Sequence, residues 1–98
     1  MDYKFGQLVN VEVNVHADSL EQLKVLLRTS SVRGALLRYV TETSREFSPD
    51  GKTVTIRGTA SWYEQISNDA ARRLDDVPWD LGFRGGGLHV ISAAEQAG

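Results

Sequence analysis

The chain contains no cysteine. Disulfides, zinc–thiolate centres and thiol nucleophiles are excluded together, and the absence fits a reducing compartment. No apolar run approaches the roughly 20 residues that span a bilayer. The opening residues MDYKFGQLVN carry no basic stretch followed by an apolar one, so no secretory leader is expected. An excess of basic charge is also missing: 13 acidic residues oppose 11 basic ones, a net charge of −2. A nucleic-acid binder usually presents a basic face that displaces counterions, and nothing here supplies one. Internal repeats, linkers and low-complexity segments are absent as well. A soluble, cytoplasmic protein is expected, with no membrane and no nucleic acid among its partners.

What is present is enough for a core. Hydrophobic residues make up 41% of the 98 positions, and a chain of this size buries roughly 60–70% of the surface its unfolded form exposes. One domain over 1–98 is expected, with a frayed tail at about 93–98.

The stretch LVNVEVNVH (8–16) alternates strictly, Val9, Val11, Val13 and Val15 against Asn10, Glu12, Asn14 and His16. Period two with β-branched residues predicts a strand with one buried face. In ADSLEQLKVLLR, Asp18 and Glu21 have capping-box spacing, and Leu20, Leu23, Leu26 and Leu27 form a helical stripe. The prediction is a helix over 19–29. Residues 35–47 admit two readings. Leu36, Leu37 and Val40 suit a helix face, whereas Tyr39-Val40-Thr41 and Thr43 favour a strand. The turn SPDGK (48–52) and the alternating TVTIRGT (53–59) favour a hairpin of 35–47 with 52–60. Ser61 and Glu64 repeat the capping-box spacing, and Trp62, Ile66, Ala70 and Leu74 recur every four residues, predicting a second helix that ends near Asp76.

The segment DDVPWDLGFRGGGLHVIS (75–92) concentrates glycine, aspartate and one of the two tryptophans. A phosphate cradle needs glycines opening a helix, and here they open a strand. A calcium loop starting at Asp76 would put Pro78, Leu81 and Gly87 where ligands or the turn glycine are required. Val77, Trp79, Leu81 and Phe83 instead alternate with their neighbours, and Arg84–Gly87 suits a tight turn into LHVIS (88–92). A terminal β-hairpin is predicted. The fold class is therefore α+β: a ferredoxin-like split βαβ arrangement, βαββα followed by a short β-β hairpin, with an antiparallel sheet and two helices on one face.

No nucleophile–base pair, metal-ligand set or phosphate loop stands out, so neither a catalytic residue nor a cofactor or metal is expected. The favoured reading is a small non-catalytic protein-interaction module, an accessory subunit or inhibitor-type binding protein, whose partner is another protein or its own copy in a homodimer. Trp79, Leu81, Phe83 and Arg84 are the candidate contact residues, because Trp, Phe and Arg are enriched at interface cores. Their competing explanation is ordinary core packing. The alternative function is a dimeric α+β-barrel enzyme or small-ligand binder. Its polar pocket on the open sheet face would be made by Asn14, His16, Arg57 and His89, with His16 and His89 brought together. That face offers no aromatic residue on TVTIRGT for stacking bases, which weighs against single-stranded nucleic acid.

Overall fold

Four valines at alternate positions set the frame of the molecule. The structure, a computed structural model, describes residues 3–77 and 82–94. In β1 (Leu8–Ala17), Val9, Val13 and Val15 are fully buried and Val11 is 1% exposed, while Asn10, Glu12 and Asn14 between them stay half-buried. Each valine taken wholly out of water is worth about 1.5–3 kcal/mol. A slip of one residue would turn all four to solvent, so the register is strongly specified.

Around β1 the described residues form α1 (Leu20–Arg28), a short α2 (Ser30–Val32) continued by a π-helical turn (Arg33–Leu37), β2 (Thr41–Phe47), β3 (Thr53–Ser61), α3 (Ile66–Leu74) and β4 (Phe83–Ala93). The result is a small α+β domain with a four-stranded antiparallel sheet in the order β2-β3-β1-β4. β1 lies between β3, where Val13 faces Ile56, and β4, where Val13 faces Leu88. The helices contribute Leu23, Leu26, Leu27, Val32, Leu36, Ile66, Ala70 and Leu74 to one core with the valine face. Asn10, Glu12, Asn14 and His16 are left on the other face. No helix among the described residues is long and apolar enough to cross a membrane.

Several expectations are corrected. Phe83–Ala93 is one continuous strand, and Arg84–Gly87 runs inside it instead of turning. The terminal hairpin is therefore absent from 82–94, and the strand order differs from a scheme that ends in two strands. The physical reason is the register with β1, in which Gly85, Gly86 and Gly87 face His16, Val15 and Asn14. Gly86 lies so close to its neighbour that a Cβ would sit 2.3 Å from the Asn14 carbonyl oxygen. The earlier half of that expected hairpin, 78–81, lies outside the described residues.

The expected strand at 35–47 begins only at Thr41. Val32, Ala35 and Leu36 are 0%, 5% and 1% exposed, at helical spacing. Burial of these side chains outweighs the weak strand preference of Tyr39 and Val40. The helix caps also differ. Ser19 caps α1, its Oγ accepting from the Gln22 amide at 3.2 Å. Ser61 closes β3, so Trp62 precedes α3 and lies off its buried stripe. The turn between β2 and β3 is as expected. Gly51 has φ +72°, and the Asp50 carboxylate accepts from Ser48 Oγ at 2.6 Å and from the Lys52 amide at 3.0 Å. Those two bonds, Ser48 first, hold the Asp50 carboxyl below its ordinary range.

Two glycines are opposite in character. A Cβ on Gly58 would meet the Thr41 carbonyl oxygen at 2.2 Å and its carbon at 2.9 Å, where β2 crosses β3 beside an irregularity at Thr43. Nothing lies within 4 Å of a Cβ on Gly34, inside the π-helical turn. Gly58→Ala is expected to lower stability by about 1–3 kcal/mol. Gly34→Ala should raise it by about 0.5–1 kcal/mol. Urea unfolding of both variants against the parent checks the two signs together.

Candidate functional site

Arg84 opens β4 and reaches across to the loop before α1. Its Nε and Nη2 bond the two Asp18 carboxylate oxygens at 3.0 and 2.7 Å. This bidentate pair explains why Asp18 does not cap the helix. Phe83 is half-buried and packs against the core. Beside them a groove of about 280 Å³ runs between the end of α3 and the start of β4, walled by Ala71, Leu74, Val77, Phe83, Gly85 and Gly86. Trp79 and Leu81, the other two expected contact residues, lie outside the described residues.

β4 forms one edge of the sheet and β2 the other. The two differ in chemistry. β2 carries Glu42, Arg45 and Glu46, with Arg45 Nη2 paired to Glu42 at 2.8 Å and a register irregularity at Thr43. From Gly85 to Ala93, β4 carries no Lys, Arg, Asp, Glu or Pro. Its pairing with β1 has two irregularities, one at Arg84 and one at Ile91, and Ile91 is 48% exposed.

Asn14, His16, Arg57 and His89 share the open sheet face, but not as a cluster. His16 faces Thr53 and Gly85, whereas His89 faces Glu12, four positions along β1. The two histidines are therefore about 13 Å apart along the strand and do not meet as expected. His16 Nδ1 bonds Thr53 Oγ1 at 2.9 Å, Thr55 Oγ1 donates to Asn14 Oδ1 at 3.2 Å, and Asn10 Nδ2 donates to Ser92 Oγ at 3.0 Å. Arg57 lies 3.6 Å from Glu12 and 3.8 Å from Glu46. Cross-strand partners of this kind satisfy the polar groups within the sheet. Among the described residues no three His, Asp or Glu side chains come together as metal ligands.

A further surface was not signalled by any motif. At the start of β1 and the end of β3, a groove of about 660 Å³ is lined by Phe5, Gly6, Tyr39, Ser61, Trp62, Tyr63, Asp69 and Arg73. Trp62 packs against Tyr3 with ring centroids 5.9 Å apart. The guanidinium carbons of Arg38 and Arg73 lie 5.3 and 5.6 Å from the Tyr39 ring centre, within cation–π range. Asp69 pairs with Arg72 and acts on the nearby Tyr63 phenol. Spacing placed Trp62 on a helix, which hid this grouping.

The fold places the chain among small α+β domains with a four-stranded antiparallel sheet. Comparison with family models, with curated proteins and with solved structures returns no match.

Partial burial, then the bond to Asp69, pushes the Tyr63 phenol above its ordinary value. The fold holds the neutral phenol, so its contribution is full below pH ~10 and is lost as pH rises through the raised value. Arg72, followed by Tyr63, holds the Asp69 carboxyl below its ordinary value. That contribution is present above pH ~4 and is lost as pH falls through the lowered value. Asp69→Asn should bring the last-titrating tyrosine down in an ultraviolet phenolate titration and flatten the acid limb of stability against pH.

Proposed function

We propose that the chain is a small, non-catalytic protein-interaction module that receives an extended segment of another chain, its own copy included, along the β4 edge. The observation that carries this reading is the chemical difference between the two sheet edges. Unpaired backbone groups on an exposed edge are a template for another strand, and charges and bulges are the usual protection. β2 has both. β4 is irregular at Arg84 and at Ile91, but the six residues between them, Gly85 to Val90, keep one unbroken register with β1 and carry no fixed charge. In strand addition, main-chain hydrogen bonds provide affinity and pockets for alternate side chains provide selectivity. The apolar groove beside Phe83 adjoins this edge and suits such a side chain. Arg84, anchored by Asp18, stands at its mouth. Trp79 and Leu81, outside the described residues, stay candidate contact residues on the sequence pattern alone.

The finer fold assignment, a ferredoxin-like split βαβ plan, belongs to this proposal, as does a cytoplasmic setting, which rests on the cysteine-free composition. A second reading keeps Asn14, His16, Arg57 and His89 as a polar pocket closed by two copies meeting face to face. Its support is that all four residues lie on one open face.

Native mass spectrometry and size-exclusion chromatography separate the two readings. Ile91→Lys, which puts a charge on the β4 edge, is expected to weaken association about tenfold or more, ~1.4 kcal/mol, with an unchanged circular dichroism spectrum. Arg57→Ala should leave association intact. The edge reading fails if Ile91→Lys assembles like the parent. Loss in Arg57→Ala alone would favour the face-to-face dimer.

A further inference from the structure

We infer that the aromatic groove at the start of β1 is a second docking site, for an acidic segment of a partner protein that presents one large apolar side chain. It lies on a different side of α3 from the Phe83 groove, lined by Asp69 and Arg73 where that groove is lined by Ala71 and Leu74. It is independent of pairing at the β4 edge.

Phe5 supplies the first argument. It occupies the tip of a turn in which the Gln7 amide donates to the Lys4 carbonyl at 2.9 Å, with Gly6 at φ +80°. The turn is fastened to the end of β3: the Gly6 amide donates to the Trp62 carbonyl, and the Trp62 amide to the Gln7 carbonyl, each at 2.8 Å. A turn built this firmly holds a phenyl ring 87% exposed. Tyr39, 51% exposed, stands across the groove, and Trp62 and Tyr63 are half-buried between them. Two of the large exposed apolar side chains thus line one slot. The backbone that presents Phe5 is fixed before any partner arrives, which reduces the entropy lost on binding.

Charge supplies the second argument. Asp69 is the carboxylate lining the groove, and Tyr63 and Arg72 already engage it. Arg38 and Arg73 stack over Tyr39, and neither lies within salt-bridge distance of a carboxylate among the described residues; Arg73 also acts electrostatically on Tyr63 and Asp69. A guanidinium lying on a ring still presents its N–H fork at the edge, where a carboxylate binds in the plane. The slot therefore selects an apolar side chain, and the arginines select acid beside it. Trp, Tyr and Arg are the residues that dominate protein interfaces.

The same residue types also stack the bases of single-stranded nucleic acid. The geometry favours protein. The Tyr39 face is covered by guanidinium, the Tyr3 and Trp62 rings are inclined by 46°, and the chain as a whole is acidic.

The test is selection from a displayed library of random heptapeptides on the intact protein, with Phe5→Ala and Arg73→Gln as counter-targets. Phe5 is so exposed that its truncation leaves the fold unchanged, which circular dichroism verifies. Expected is a consensus with at least one Asp or Glu beside an aromatic or large aliphatic residue. Selected peptides should perturb the Trp62 indole resonance saturably and bind either variant about tenfold more weakly. The proposal is overturned by peptides that bind both variants like the parent, by a consensus without acid, or by no enrichment over the Phe5→Ala counter-target. It is likewise overturned if oligothymidylate moves the Trp62 resonance and the selected peptides do not.

Discussion

Everything in this domain is referred to one central strand. β1 is hydrogen-bonded on both sides, to β3 and to β4, and its four valines form the floor on which the helices lie. Because side chains alternate along a strand, the burial that makes β1 stable also forces Asn10, Glu12, Asn14 and His16 to the other face. The polar character of that face follows from core formation. Cross-strand partners then satisfy it: Thr53 for His16, Thr55 for Asn14, Ser92 for Asn10 and Arg57 for Glu12. A face whose groups already answer one another has little unmet demand for a ligand, which moves attention to the edges and ends.

The edges and ends are where the molecule departs from internal consistency. Both edges have irregular pairing, but β2 is charged along its length whereas β4 carries no fixed charge from Gly85 to Ala93, and a bound chain is the physical circumstance in which such an edge carries no penalty. From one side of α3, Leu74 and Ala71 line the groove beside Phe83. From another side of the same helix, Asp69 and Arg73 line the groove beside Phe5. A single helix lying along the sheet thus shapes both surfaces, one largely apolar and one mixing aromatic rings with arginine.

Much of the frame was legible in local pattern. The valine alternation, the stripe of α1 at Leu23, Leu26 and Leu27 but not at the exposed Leu20, the Ile66–Ala70–Leu74 stripe and the turn around Asp50 and Gly51 are all decided within a few residues, by periodicity or by turn stereochemistry. The errors share a physical cause. Capping-box spacing at Asp18 and at Ser61 has no way to show that Asp18 is held by Arg84, 66 positions later, or that Ser61 is paired with Leu8. The glycines at 85–87 have the composition of a turn. They run straight because β1 lies beside them, and Gly86 passes the Asn14 carbonyl where no side chain fits.

The sequence by itself therefore determined an α+β domain, the buried faces of β1, β3, α1 and α3, and the absence of thiol chemistry. These depend on composition and on the periods of strand and helix. Only the tertiary structure decided that β4 lies on an edge, that His16 and His89 are separated by four residues of register, and that Phe5, Tyr39 and Trp62 meet. Those facts depend on which segments pair across the chain. Pairing is set by the summed burial of side chains far apart in sequence, and no local window contains that sum.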